Sequence, residues 1–223
     1  SQVSTSGLFF MRSSAPVALN SYDSENLPIH WNDSQWWWDS GLTVPDGEWA
    51  HVAMTVAPNQ VILYLNGVPY NRNFTVDQVN FDGPISFGRD PGRNSRQFKG
   101  EMDEVLIYDR TMSPEEIREL MHLARVPAEE TGVLAYYQFN RDAGLVSNRA
   151  TGIHAALSGS VTRTTSTAPV GPGESARLNV NAAGNYSFGT TNLALDFAAG
   201  TVPEGELCVT RIDTGSYTHQ TLP

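Results

Sequence analysis

The stretch from Trp49 to Gly67 most constrains the fold of this chain. Apolar residues recur at every second position from Val52 to Val56, which is the spacing of a β-strand. A four-residue turn at 57–60 leads into a second apolar strand, Val61 to Leu65. Asn66-Gly67 then predicts a two-residue turn, because both central positions of a type I′ turn need a positive φ. The stretch therefore predicts an antiparallel β-meander.

Strand-like patterns recur along the rest of the chain. They are short apolar or alternating runs separated by residues typical of turns. The candidate strands are Gly7–Met11, Pro16–Leu19, Ile29–Trp31, Gln35–Trp38, Phe74–Val79, Ile85–Gly88, Phe98–Tyr108, Val133–Phe139, Leu178–Val180, Asn192–Phe197 and Glu206–Ile212. In the strand that ends at Tyr108, the alternation slips near Glu104. These patterns predict an all-β protein.

One short helix is predicted among the strands. Ser113 is the expected N-cap, Pro114 suits the first helical position, and Glu116 completes a capping box. Apolar residues then follow at helical spacing as far as Ala124, and Pro127 ends the pattern. A single short helix of this kind is expected to cover an edge or an end of a β-sandwich.

Composition narrows the classes of partner. The 223 residues suffice for one large β-domain, and 40% of them are hydrophobic, which can fill a core. The formal net charge of −10 argues against nucleic acid as a partner, because phosphates must be neutralised by Lys and Arg. No apolar run is long enough for a transmembrane helix, so membrane insertion is not expected. Cys208 is the only cysteine, which excludes an intramolecular disulfide.

Three segments together resemble the laminin G-like, concanavalin A-like jelly rolls of bacterial extracellular proteins. They are Asp46–Thr55, Leu63–Gly67 and Phe98–Ile117. The resemblance implies two antiparallel sheets. We therefore predict an all-β, antiparallel jelly-roll sandwich with one short helix over residues 1–125, followed by a partial β-rich unit.

The resemblance also bears on domain organisation. Such domains normally carry one or two more strands before the point where this chain begins. Leu134–Asn140 and Ala150–Leu157 are similar to the opening of such a domain, and residues 126–163 are expected to pack on or extend the sandwich. Residues 164–177 are predicted to be a linker, and 178–223 a partial second β unit. Two segments, Ser166–Gly171 and Glu206–Ile212, resemble pieces of secreted, multi-domain surface proteins of Bacteroidetes-type bacteria. This resemblance implies an extracellular or cell-surface location and further domains of the same parent.

A tryptophan-rich segment is the candidate ligand site. Aromatic faces stack on the C–H faces of sugars, and neighbouring amides and carboxylates bind hydroxyl groups. The candidate carbohydrate-binding residues are Trp31, Asn32, Trp36, Trp38 and Asp39. Trp36 and Trp38 share one face of a strand. The alternative is a packed aromatic cluster between the sheets.

Two acidic residues raise the questions of catalysis and of metal binding. Related laminarinase-type glycosidases carry Glu-x-Asp followed by a further Glu, and here Glu101 and Asp103 match the first two positions. The third falls on Val105 or Leu106, which cannot shuttle a proton, so no enzyme activity is predicted. In the wider family an Asp at the Asp103 position often helps to hold a structural Ca²⁺, whereas a capping or salt-bridging carboxylate is the alternative.

These observations predict a non-catalytic extracellular binding or adhesion module that recognises carbohydrate. One alternative is a structural or protein–protein module of a larger secreted protein, whose ligand is a cell-surface or extracellular protein. The other is an accessory domain of a hydrolase encoded outside this chain. His51 is expected to be structural rather than catalytic, and the histidines show no spacing typical of a zinc site.

Overall fold

A computed structural model describes residues 5–13, 15–22, 26–31, 35–58, 60–72, 76–93, 95–125, 130–140, 146, 148–151, 154–159, 161–180, 184–188, 193–197, 205–212 and 220–221. The strands and the helix of these residues are β1 Thr5–Met11, β2 Val17–Tyr22, β3 Asn26–Trp31, β4 Gln35–Thr43, β5 Val52–Ala57, β6 Gln60–Leu65, β7 Val68–Arg72, β8 Ile85–Phe87, β9 Val105–Tyr108, α1 Pro114–Leu120, β10 Val133–Tyr137, β11 Thr164–Thr165, β12 Gly173–Val180, β13 Gly184–Phe188, β14 Leu193–Phe197, β15 Gly205–Ile212 and β16 Gln220–Thr221.

Two sheets form the body of the fold. One has five strands in the order β4-β3-β2-β1-β8, and the other has three in the order β5-β6-β7. Each ladder between the described strands is antiparallel. The predicted fold class, an all-β antiparallel sandwich of the jelly-roll kind with one short helix, is confirmed.

The core lies between these two sheets. Alternation along β3 and β4 directs one set of side chains inward, as the strand period of two requires. The buried apolar cluster consists of Met11, Val17, Leu19, Leu27, Ile29, Trp31, Trp38, Val61, Leu63 and Val76. It joins the five-stranded sheet to the central strand of the three-stranded sheet.

The predicted meander is present in the three-stranded sheet. β5 and β6 pair from Val52↔Leu65 to Ala57↔Gln60. Asn66 and Gly67 have φ values of 50° and 74°, as the predicted type I′ turn requires. The next strand differs from the prediction, because β7 starts directly after this turn and residues 76–79 are not in a strand. A tight two-residue turn leaves no room for a loop before the returning strand.

The ninth strand is shorter than predicted. β9 covers only Val105–Tyr108 of the predicted Phe98–Tyr108 strand. Glu104 has a left-handed φ of 49°, which interrupts the extended backbone at the point where the alternation slips. β9 pairs with β10, so part of the segment 126–163 adds a strand beside the sandwich.

The helix begins as predicted and ends early. Ser113 accepts a hydrogen bond from the backbone of Glu116, whose side chain accepts one from the backbone of Ser113, and this completes the capping box. α1 ends at Leu120, because the following backbone pairs with Gly171 instead. The Ala124 N–H donates to the Gly171 carbonyl at 2.8 Å, and the Gly171 N–H donates to the His122 carbonyl at 3.2 Å.

The segment predicted to be a linker has defined structure. Thr164–Thr165 is β11, and β12 begins at Gly173, so the last five residues of 164–177 belong to a ladder with β15. α1 contacts both β12 and β15. The side chains of Glu119 on α1 and Arg177 on β12 form an ion pair at 2.5 Å.

Candidate functional site

Two of the predicted carbohydrate-binding tryptophans lie in the core. Trp31 is 4% exposed and Trp38 is 6% exposed. The Trp31 indole donates from Nε1 to the Asp77 carbonyl at 2.8 Å. Neither ring face is open to a sugar, because both residues occupy inward positions of their strands. The expected stacking platform is therefore corrected at these two positions, where the alternative of a packed cluster describes the structure.

The other members of the predicted site divide into two groups. Asn32 lies outside the described residues, and the backbone of Trp36 belongs to β4 while its side chain lies outside them. Asp39 is exposed on β4. Its Oδ2 accepts a hydrogen bond from Asn26 Nδ2 at 3.1 Å, and its Oδ1 accepts one from the Gly41 N–H at 2.8 Å. The structure thus presents a carboxylate and an amide side by side at the β3–β4 edge.

Tyr70 is an exposed aromatic residue that the sequence patterns did not single out. It is 40% exposed, and its ring centroid lies 6.4 Å from that of Trp38, with an angle of 30° between the planes. The buried Trp38 ring therefore supports a ring that solvent reaches. Strand alternation after the Asn66-Gly67 turn would have found Tyr70, had the strand been placed at β7. For brevity we give the name β4–β7 patch to two separate features, the exposed Tyr70 ring on β7 and the Asp39–Asn26 pair on β4 and β3.

Asp103 is held by hydrogen-bond donors. Its Oδ2 accepts from Ser166 Oγ at 2.8 Å, and its Oδ1 accepts from the Glu104 N–H at 2.9 Å. Each oxygen therefore uses one lone pair on a protein donor, whereas Ca²⁺ is held by oxygen lone pairs. Among the described residues, no three His, Cys, Asp or Glu side chains are grouped so that they could hold a metal ion. A structural Ca²⁺ at Asp103 stays a prediction.

Glu101 of the glycosidase-like pattern and its neighbour Glu104 differ in their contacts. Glu101 is exposed, whereas Glu104 accepts a hydrogen bond from the hydroxyl of Tyr136. That hydroxyl also accepts hydrogen bonds from Gln138 Nε2 at 2.7 Å and from the Arg125 N–H at 2.9 Å. Tyr136 is fully buried. This cluster ties β9 and β10 to the chain that follows α1, and it acts as structural support.

His51 is held neutral beside α1. Burial, with the positive charges of His122 and Arg125 contributing, lowers the pKa of His51 from 6.5 to about 4. Its backbone N–H donates to Asn66 Oδ1 at 2.9 Å, and its carbonyl accepts from the Asn66 N–H at 2.8 Å. Its Nδ1 is buried without a hydrogen-bond partner. Both hydrogen bonds involve the backbone of His51 and not its imidazole, so a structural role of the ring stays a prediction.

A buried ion-pair cluster is the largest feature that the sequence patterns missed. The Asp90 side chain is 0% exposed and accepts from Arg12 Nε at 2.9 Å, Arg12 Nη2 at 3.0 Å and Arg96 Nη1 at 3.1 Å. The Gly92 N–H adds a fourth hydrogen bond at 2.8 Å. Burial acts to raise the pKa of Asp90, but the hydrogen bonds from Arg12 and Gly92 outweigh it and hold the pKa below its ordinary value.

No described helix has the length and apolar character needed to span a membrane. A family model, described as the concanavalin A-like lectin/glucanases superfamily (Laminin_G_3), matches residues 2–118. Searches of curated proteins and of solved structures returned no match. The match covers more than half of the chain and the same residues as the two packed sheets. The chain therefore belongs to the concanavalin A-like lectin/glucanase superfamily.

Proposed function

We propose that this chain is a non-catalytic carbohydrate-binding module of an extracellular, multi-domain protein. Two observations carry the proposal: the exposed Tyr70 ring beside Trp38, and the exposed Asp39 carboxylate with its Asn26 amide partner. This combination suits a sugar, whose C–H face packs on a ring while its hydroxyls bind polar groups. Superfamily membership supports a binding module in general terms. The patch replaces the buried tryptophans as the proposed contact surface.

The proposal that the module is not an enzyme rests on the acidic residues. A retaining glycosidase needs two carboxyl groups about 5 Å apart, with one acting as acid and base. Both oxygens of Asp103 accept structural hydrogen bonds, and Glu104 is engaged by Tyr136. Val105 and Leu106 occupy the place of the third catalytic carboxylate. The superfamily contains both lectins and glucanases, and these residues favour the lectin-like role.

A glycan array tests the proposal. The full chain is screened with Ca²⁺ and with a chelator, alongside Tyr70→Ala and Asp39→Asn. We expect specific binding that both substitutions weaken by about tenfold, since each removes one contact worth on the order of 1.4 kcal/mol. Tyr108→Phe, a hydroxyl loss away from the patch, is the control. Loss of binding on chelation would support the predicted Ca²⁺, and unchanged binding by both patch variants would reject the patch.

A second candidate function, a structural module, is favoured by one observation. The segment 166–171, which we name the docked segment, is held against the sandwich at several points. Trp49 Nε1 donates to Thr167 Oγ1 at 2.9 Å, and His122 Nδ1 lies 2.9 Å from the Pro169 carbonyl. Ser166 binds Asp103, and Gly171 pairs with the end of α1. A linker fixed in this way sets the direction in which the chain leaves the sandwich, as a spacer requires.

Limited proteolysis tests the spacer role. Ser166→Ala removes the hydrogen bond to Asp103, so the docked segment should open more often and be cut several-fold faster by proteinase K. Ser158→Ala, at an exposed serine outside the docked segment, is the control and should leave the rate unchanged. Equal cleavage rates for both variants and the unmodified chain would count against a rigid spacer.

A further inference from the structure

The loop that contains Asp90 concentrates positive charge in an acidic protein. The whole chain has a formal net charge of −10. The local group contains five cations and one anion, which leaves a local formal charge of +4, and its members are Arg12, Arg89, Asp90, Arg93, Arg96 and Lys99. We name these six residues the basic loop. Such a field attracts anions to one place on a surface that otherwise repels them.

The basic loop is braced by its own backbone. Asp90 N–H donates to the Arg96 carbonyl at 3.0 Å, and Arg93 N–H donates to the Asp90 carbonyl at 3.1 Å. Phe98 N–H closes the loop on the Gly88 carbonyl at 2.8 Å, and Gly88 N–H bonds to the Leu8 carbonyl of β1 at 3.1 Å. The cations are therefore carried on a fixed frame, which lowers the entropy lost when a ligand binds.

Asp90 orients two guanidinium groups at once. Arg12 and Arg96 both pair with its single carboxylate. Their side chains remain 43% and 39% exposed, so part of each group faces solvent. A guanidinium has five N–H donors in a planar fork that matches carboxylate and sulfate groups. The exposed part of each guanidinium group therefore faces solvent beside the buried anion.

The other cations of the basic loop have no internal acidic partner. In the part of the chain that the structure describes, no carboxylate lies in ion-pair range of Arg89, Arg93 or Lys99. By contrast, Arg118 on α1 pairs with Glu115. Arg93 and Lys99 are exposed. Their charges are therefore available to a ligand.

We infer that the basic loop binds the anionic groups of an acidic polysaccharide, either carboxylates or sulfates. This inference rests on the proposed carbohydrate-binding function and names a class of glycan for it. A polysaccharide is favoured over nucleic acid because superfamily membership and the exposed Tyr70 ring already support a sugar ligand. The half-exposed guanidinium groups of Arg12 and Arg96 suit single carboxylate or sulfate groups spaced along a polymer.

The experiment uses the full chain and three polymers. Binding is measured by affinity electrophoresis with polygalacturonate for carboxylates, dextran sulfate for sulfates and unmodified dextran as the neutral reference. The test variant is R93Q/K99Q, whose two side chains are exposed and form no ion pair with Asp90. The matched control is R149Q/R211Q, which removes two exposed charges elsewhere. Melting temperatures check that each variant is folded.

We expect the chain to be retarded by at least one anionic polymer and not by dextran. R93Q/K99Q should weaken that binding by about tenfold, and added salt should weaken it further, whereas R149Q/R211Q should change it less than about twofold. The polymer retained identifies carboxylate or sulfate as the anion. Equal losses in the two double variants, or no retardation by either anionic polymer, would overturn the inference.

The two proposals fail separately. Retardation by dextran that Tyr70→Ala abolishes, without preference for the anionic polymers, would overturn the basic-loop inference and leave the β4–β7 patch standing. Anionic binding that depends on Arg93 and Lys99 but not on Tyr70 would support the inference and reject the patch.

Discussion

At the residue scale, two buried titratable groups are held in opposite ways. Asp90 is charged, because arginines surround it and keep its pKa below the ordinary value. His51 is neutral, because burial and neighbouring positive charge disfavour a proton on it. Protonation of either group changes the free energy of unfolding with pH, and each group can be tested alone.

We predict that Asp90→Asn lowers the free energy of unfolding by about 2 kcal/mol at pH 7, because it leaves two part-buried arginines without their anion. Urea denaturation measures this. Asp82→Asn, at an exposed carboxylate, should change stability by less than about 0.5 kcal/mol. Because the pKa of Asp90 is lower in the folded chain, its ionisation stabilises the fold above the ordinary pKa. This stabilisation is lost as the pH falls through the folded pKa. The difference between Asp90→Asn and the unmodified chain should therefore shrink in strong acid, and a constant difference would contradict this account.

His51 should act over a higher pH range. The folded pKa is about 4 rather than 6.5, so between these values the unfolded chain binds a proton that the folded chain does not. Stability contributed by His51 is present above pH 6.5 and is lost as pH falls toward 4, with a loss of roughly 2–3 kcal/mol. His51→Gln should flatten the stability curve over this window in urea titrations. The exposed His154→Gln should not, and identical curves for all three chains would refute the prediction.

At the element scale, the turn between β6 and β7 also receives α1. Gly67 has a φ of 74°, and a Cβ built there would lie 2.7 Å from Cγ of Arg118 on α1. The turn residue thus serves the hairpin and the helix contact together. The backbone that follows the helix, at His122 and Ala124, pairs with Gly171 of the docked segment. These contacts link the meander to the chain after α1.

We predict that Gly67→Ala lowers the free energy of unfolding by about 2 kcal/mol, since it adds a clash with Arg118 to left-handed backbone strain. Gly47→Ala is the matched control, because Gly47 has a φ of 73° with nothing within 4 Å of an added Cβ. It should cost about 1 kcal/mol from strain alone. Thermal melts of both variants separate the two terms. Equal losses of stability in the two variants would mean that Arg118 on α1 moves away from the added Cβ without an energetic cost.

At the scale of the whole molecule, the sequence predicted the features that depend on neighbouring residues. The strand period of β5, the Asn66-Gly67 turn and the capping box of Ser113 are local, and all three were found. The slip near Glu104 was visible because a left-handed residue breaks alternation.

Long-range contacts were beyond the sequence pattern. Arg12 and Asp90 are 78 residues apart, and nothing near either residue indicates their pairing. The inward direction of Trp38 depends on which face of β4 meets the second sheet. The early end of α1 depends on Gly171, which folds back from far along the chain. Among the described residues of the candidate site, the sequence therefore correctly predicted an exposed position at Asp39, which lies on the edge strand β4.

The central proposal is that this sandwich binds a glycan and leaves it intact. The most direct measurement incubates the full chain with the glycan that it retains on the array and monitors both the bound fraction and new reducing ends. We predict saturable binding, full recovery of the glycan and no reducing ends above a sample without protein. Release of reducing ends by the full chain would contradict the account, and so would a folded chain that binds no glycan.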